Sequence, residues 1–248
     1  MLYRIVHAVL WVMVRSLVAL FGGLRVEGRE NVPRHGPVIL APNHISLADP
    51  AVLGAVLPRF AHYMATDELF TIRVLGPLAR LMRAFPIRQD SPDRAALRHT
   101  RRLLEQGEAV VIFPEGHVSP DGHLKPIQPG MVMVAIHAGA PVVPVGIQGT
   151  DKMVPYRRFW PRPAGRRMTI RFGRPISAEE LAGGMKGRAA IDHGARVLHA
   201  AIAALLDEPA YRPLEQPALA STSGQNRNGA ASRTTTPSDK DGARVCHN

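Results

Sequence analysis

Cysteine is almost missing from this chain of 248 residues: its single one, Cys246, stands near the end of a polar stretch. A disulfide framework and a Cys-rich metal site are thereby excluded, and a reducing compartment fits. Acidic residues are also scarce, 20 against 31 Lys and Arg, which gives a net charge of +11. The stretch after Arg212 holds four basic and three acidic residues, so +10 belongs to the part before it. Such a field suits anionic partners: nucleic acid, anionic lipid headgroups, or phosphorylated and acidic acyl carriers. No helix-turn-helix, RNA-recognition or zinc-finger pattern is present, so nucleic acid is not an expected partner. The chain also lacks H-E-x-x-H or a comparable ligand cluster, so no metal is expected, and it lacks a G-x-S-x-G elbow.

No run of about 20 uncharged apolar residues occurs either. Residues 2–20, LYRIVHAVLWVMVRSLVAL, come nearest, but Arg4, His7 and Arg15 interrupt them. At about 100° per residue these three share one narrow helical stripe with Trp11, and Leu, Ile, Val and Met cover the rest. The pattern predicts an amphipathic helix lying on a membrane interface, with a helix packed on the domain core as the alternative. No small-residue cleavage site follows before Phe21-Gly22-Gly23, which argues against a secretory signal.

What is present beyond residue 23 reads as one α/β domain. Apolar runs at 37–41, 62–65, 84–87, 109–113, 142–147 and 168–172 predict strands, and helical patterns lie between them. Runs of this kind imply a mostly parallel or mixed central sheet flanked by helices. Ser91, with Pro92 at the first helical position and Gly107 past the end, predicts a helix whose Arg94, Arg98, Arg101 and Arg102 form a solvated face. A last helix is expected over 186–206. The division expected is an interface helix at 1–23, the α/β domain at 24–212 and a disordered tail at 213–248, where Ser, Thr, Gly, Asn, Pro and Ala dominate.

Two segments carry candidate chemistry. In Ala41-Pro42-Asn43-His44-Ile45-Ser46-Leu47-Ala48-Asp49-Pro50, His44 sits on a strand-to-helix loop with Asp49 one helical turn away. A histidine paired in this way suits a general base, because an alcohol is a poor nucleophile unless its proton leaves as it attacks. A loop histidine beside a capping aspartate has the same spacing. In Phe113-Pro114-Glu115-Gly116-His117-Val118-Ser119, Glu115 lies at a strand end, suited to a hydroxyl or amine, and Gly116 permits a turn with φ > 0. Ser46 and Ser119 are expected to be structural. Lys152, Arg157, Arg158, Arg162, Arg166, Arg167, Arg171 and Arg174, interleaved with Tyr156, Phe159 and Trp160, suit a membrane interface, a solvated loop or the phosphates of coenzyme A.

Together, residues 37–148 resemble the glycerolipid acyltransferase family typified by bacterial 1-acyl-glycerol-3-phosphate acyltransferase. Asn43, His44 and Asp49 match its N-H-x4-D motif. Ala84-Phe85-Pro86-Ile87-Arg88 resembles its second motif, residues 113–119 its F-P-E-G-T-R-S motif, and Pro141-Val142-Val143-Pro144-Val145 its fourth. The resemblance implies transfer of a fatty acyl group from acyl-CoA or acyl carrier protein to the hydroxyl of 1-acyl-glycerol-3-phosphate, without an acyl-enzyme or cofactor. It places the protein at the cytoplasmic face of the cell membrane, peripheral or monotopic, with membrane lipids and a lysophospholipid acceptor as partners. His44 is implied as base and Asp49 as its orienting carboxylate; Asn43, Arg88, Glu115, Gly116 and Lys125 are the expected binding residues, with oxyanion donors sought near Gly116 or Gly130. Two departures stand out: Arg83 where the second motif begins with Gly, and His117-Val118 where the third has Thr-Arg. The missing Arg loosens the acceptor assignment, with Lys125 or Arg83 as substitute cations, and another lysolipid or lyso-aminolipid is the alternative acceptor. A non-catalytic membrane-binding relative is the alternative outside the enzymes.

Overall fold

The computed structural model describes residues 2–20, 22–88, 93–156, 160–165 and 167–206, all within one compact unit, Met1–Glu215. The elements run α1 (Leu2–Leu20), β1 (Leu24–Glu27), β2 (Val38–Pro42), α2 (Asp49–Val56), β3 (Ala61–Thr66), α3 (Leu75–Leu81) and β4 (Ala84–Ile87). They continue with α4 (Arg94–Glu105), β5 (Ala109–Val111), α5 (Pro129–Ala138), β6 (Val142–Gln148), α6 (Thr150–Met153), β7 (Met168–Phe172), α7 (Ala178–Ala182) and α8 (Gly187–Ala203). The six expected strands are present, and β1 is a seventh. The sheet order is β1-β7-β6-β2-β5-β3-β4; all neighbours are parallel except β6 with β7.

The central strands β2 and β6 are buried along their whole length, because both faces of the sheet are covered by helices. Alternation divides their side chains. Ile39 and Ala41 join a core with Leu103, Val132, Leu181, Leu198 and Ile202, drawn from α4, α5, α7 and α8. Val38 and Leu40 join the opposite core with Val18, Val52, Leu53 and Val56, from α1 and α2. Pro144, in the middle of β6, stands just beyond the pairing of Val145 with Phe172, the last residue of β7. The ladder bond that proline lacks is therefore not needed there.

The helix expected from Ser91 begins later. Asp93 is its N-cap, its side chain accepting from the backbone N–H groups of Ala95 and Ala96; Ser91 and Pro92 lie outside the described residues. Arg94, Arg98, Arg101 and Arg102 are all exposed, as expected of a solvated face.

The N-terminal helix packs on α2 through the side that carries Trp11 and Val18. A Cβ on Gly54 would lie 2.0 Å from the Trp11 ring, so that glycine admits the indole. Val9, Val12, Met13 and Leu20 project away from the domain and are 53, 64, 64 and 79% exposed. The side chains of Arg4 and His7 lie outside the described residues. No helix among the described residues is long and apolar enough to cross a membrane.

Candidate active site

Register brings the candidate residues to one edge of the sheet. Val143, Leu40, Val111, Tyr63 and Ala84 form one row across β6, β2, β5, β3 and β4. Four residues further along these parallel chains stand Ile147, His44, Glu115, Asp67 and Arg88. Neighbouring strands lie about 4.8 Å apart, so the Arg88 backbone is on the order of 14 Å from that of His44, three strands away. This is the carboxyl edge, where open α/β sheets form their sites.

The loop after β2 is built around one carboxylate. Asp49 is fully buried, and burial of a charge is tolerated only with full hydrogen bonding. Its Oδ2 accepts from Nδ1 of His44 and from the backbone N–H groups of Ile45 and Ser46, each at 2.8 Å. Its Oδ1 accepts from the Thr150 hydroxyl at 2.5 Å. Asp49 is not a helix cap: Ala48 holds the N-cap position of α2 with no side-chain cap bond, and the Asp49 oxygen that pairs with His44 also holds the two loop residues that follow the histidine. With Nδ1 so engaged, Nε2 is the nitrogen left to take a proton. The ring stacks on Phe113, centroid to centroid 4.0 Å, which fixes its plane.

Asn43 is turned into the protein. Its side chain is 1% exposed, its Nδ2 donates to the carbonyl of Ile147 at 3.0 Å, and its Oδ1 accepts from the Ile147 N–H at 2.6 Å. Both ends of the amide are spent clamping the loop to β6. Ser46 and Ser119 both face neighbouring protein groups: Ser46 Oγ donates to the Val154 carbonyl at 2.7 Å, and Ser119 Oγ lies 2.7 Å from Asp121 Oδ1 and 2.8 Å from the His123 carbonyl oxygen.

Glu115 also faces inward. It is 3% exposed, and its two oxygens accept from the backbone N–H of His44 at 2.7 Å and of Lys125 at 2.9 Å. Burial pushes its carboxyl up to about 7, against the lowering effect of those two N–H groups. It holds two loops together. Gly116 adopts φ 79°, and its N–H closes the turn onto the Phe113 carbonyl at 3.1 Å, so it is not a spare oxyanion donor. Gly130 lies in the first turn of α5, and that helix abuts the turn because the Gln128 N–H donates to Pro114.

The cations divide between two edges. Lys125 Nζ donates to the carbonyl of Val118 at 3.2 Å, which puts an ammonium beside the position where the motif's Arg is replaced. Arg88 lies at the carboxyl end of β4, 72% exposed, its Nε 3.8 Å from Asp93; the Arg88 N–H, with those of Ala96 and Ala95, holds the Asp93 carboxyl below the usual range. Arg83 is at the other end of β4, with its guanidinium 5.2 Å from the Phe60 ring. It therefore cannot substitute at the His44 edge, which corrects that expectation. Of the basic segment, Arg171 is tied to Glu27, Gln148 and the Leu205 carbonyl and Arg174 to Glu180. Lys152, Tyr156, Trp160, Arg162 and Arg167 are exposed, Trp160 by 87%. Arg157, Arg158, Phe159 and Arg166 lie outside the described residues.

Thr150 completes the site without belonging to any of the motifs, and Phe113, which opens the third motif, gains a role the motif did not assign it, as the stacking partner of His44. Thr150 is 101 residues from Asp49 in the chain; only the adjacency of β2 and β6 makes them neighbours.

Comparison with known proteins places this geometry. The model of a family described as Acyltransferase matches residues 23–148. A 1-acyl-sn-glycerol-3-phosphate acyltransferase of Bacillus subtilis is 33% identical over 137 residues, 55% of this chain and 68% of that one. A lyso-ornithine lipid O-acyltransferase of Rhizobium meliloti is 28% identical over 165 residues, 65% of this chain and 54% of that one. The crystal structure of the 1-acyl-sn-glycerophosphate acyltransferase of Thermotoga maritima shares the fold, with a TM-score of 0.66 at 24% identity, over 83% of this chain and 82% of that one.

Proposed function

The chain belongs to the Acyltransferase family, and from that premise we propose that it is an O-acyltransferase carrying a fatty acyl group from acyl-CoA or acyl carrier protein to the free hydroxyl of 1-acyl-glycerol-3-phosphate. The observation that carries this reading is the pairing of His44 Nδ1 with a buried, four-fold hydrogen-bonded Asp49 at the carboxyl edge of the sheet. The acceptor hydroxyl attacks the thioester carbonyl carbon as Nε2 of His44 takes its proton. The C–S bond then breaks, the ester remains on the glycerol, and the thiolate leaves with the proton returned by the imidazolium. Proton removal by a positioned base such as His44 contributes about 10²–10⁴-fold, and Asp49 orients the ring and stabilises the imidazolium that forms. No cofactor takes part in these steps; the thioester is a co-substrate.

Arg88 and Lys125 are the cations for the acceptor's phosphate, since a charge-assisted contact is what anchors that group. The uncharged Val118 and the similarity to a lyso-ornithine lipid acyltransferase favour a second acceptor, a lyso-aminolipid. The protein sits on the cytoplasmic face of the membrane as a monotopic or peripheral enzyme, supported by the exposed apolar side of α1 and by Trp160 among exposed basic residues.

The test is thiol release from acyl-CoA by purified protein, with lysophosphatidate and lyso-ornithine lipid offered separately. Wild type releases thiol with lysophosphatidate, and His44→Ala retains no more than about 1% of that rate. Equal rates in the two proteins overturn the base assignment; a faster rate with the aminolipid overturns the acceptor.

A further inference from the structure

We propose that Thr150 is a positioning residue of the acyl-transfer site: its hydroxyl sets the plane of the Asp49 carboxylate and, through it, the imidazole of His44. The proposal rests on the reading of His44 as the base. Its own observation is the hydrogen bond from Thr150 Oγ1 to Asp49 Oδ1, buried and 2.5 Å long.

Three of the four donors to Asp49 converge on Oδ2. They fix the position of one oxygen, but the torsion between Cβ and the carboxyl group is soft and nearly two-fold. The Thr150 hydroxyl supplies the second point that determines the plane. Thr150 is itself held. It is fully buried, a β-branched residue with a stiff χ1, and it follows Gly149 at φ 85°, where a Cβ would come 3.3 Å from the Met168 backbone. That turn sends the chain from the end of β6 directly under the histidine loop.

The same short segment grips the loop at two further points. Ile147 takes both ends of the Asn43 amide, and the Val154 carbonyl accepts the Ser46 hydroxyl. Residues 147–154 are thus a plate on which residues 43–49 are mounted at Asn43, Ser46 and Asp49. Of these attachments only the one from Thr150 reaches the carboxylate that touches His44. Thr150 lies two residues past the stretch matched by the family model, so the plate extends beyond the motifs.

The experiment compares wild type, Thr150→Val, Thr150→Ser, His44→Ala and the His44→Ala/Thr150→Val double variant in the thiol-release assay, with thermal melting of each. Valine keeps the branched shape and removes the hydroxyl. We expect kcat of Thr150→Val to fall by about 10–100-fold with both KM values within about twofold, and Thr150→Ser to recover kcat to within about fivefold of wild type. The double variant is no slower than His44→Ala alone. A folded Thr150→Val with kcat within twofold of wild type overturns the proposal. Should valine prevent folding, Thr150→Ala replaces it, and an alanine variant as active as the serine one overturns the proposal equally. An inactive His44→Ala beside an active Thr150→Val removes this inference alone, whereas an active His44→Ala removes the base reading and this inference with it.

Discussion

At the scale of single residues the site is distinguished by buried polar groups turned inward. Glu115 accepts two backbone N–H groups, one from the residue that bears the imidazole. Glutamine in its place presents an NH2 to one of those donors, leaving a buried group unsatisfied at a cost of about 1–3 kcal/mol. Glu115→Gln is therefore expected to lower kcat/KM at least about tenfold. The pH dependence has a definite sign. Burial raises the carboxyl from 4.5 to about 7, so the protonated form is favoured in the fold; its contribution is complete below about pH 4.5 and is lost as pH rises through about 7. Urea denaturation at pH 5 and pH 8 should show the stability advantage of wild type over Glu115→Gln shrinking between them. A gap that widens toward pH 8 contradicts the assignment. His44 and Asp49 were legible as a pair from spacing and motif. The direction in which Asn43 and Glu115 point was not, because a strand-end polar residue has the same spacing whether it meets a substrate or a neighbouring backbone.

Strands were legible where they carry an apolar run, as even the partly buried β4, AFPI, does. β2 and β6 read as strands because both faces are covered, whereas β1, LRVE, is four residues with only partial burial and offers no apolar run. The start of α4 was displaced because Ser91 and Asp93 are both plausible caps, and the residue whose carboxylate meets Ala95 and Ala96 decides. For α1 the sequence left two environments open, a membrane interface and the domain core. Its Trp11 side packs on Gly54, and the opposite side exposes Val12 and Met13 by 64% each. Because these two touch solvent, Val12→Glu with Met13→Glu should leave the melting temperature within a few degrees of wild type. Removing their burial in lipid, and adding two charges that anionic headgroups repel, should weaken binding to phosphatidylglycerol-containing vesicles about tenfold or more, each tenfold being about 1.4 kcal/mol. Co-sedimentation measures it, and unchanged binding would place the membrane contact elsewhere.

The sheet has two unlike rims, and it puts Arg83 and Arg88 on different ones. Arg83 and Arg88 are five residues apart on opposite ends of β4, so a strand length separates what the sequence sets side by side. Arg83 adopts φ 58°, the left-handed region that a non-glycine residue occupies at a cost of roughly 1 kcal/mol. This is where the motif it resembles has glycine, and its contact with the Phe60 ring, of about 0.5–1 kcal/mol, partly offsets that cost. At this rim it lowers the proton affinity of His62, second to burial, and is remote from His44. Arg88 instead shares the carboxyl edge with His44, Glu115 and the ammonium of Lys125. Removing a charge that anchors a phosphate weakens ground-state and transition-state binding alike. Arg88→Ala is therefore expected to raise KM for lysophosphatidate about tenfold or more, with a smaller effect on kcat. Arg83→Gly should leave both constants within about twofold, with a melting temperature close to wild type because relief of the backbone and loss of the ring contact nearly cancel. Steady-state kinetics of the two variants against lysophosphatidate distinguishes the rims, and a larger KM effect from Arg83 would reverse the assignment of the phosphate to the carboxyl edge.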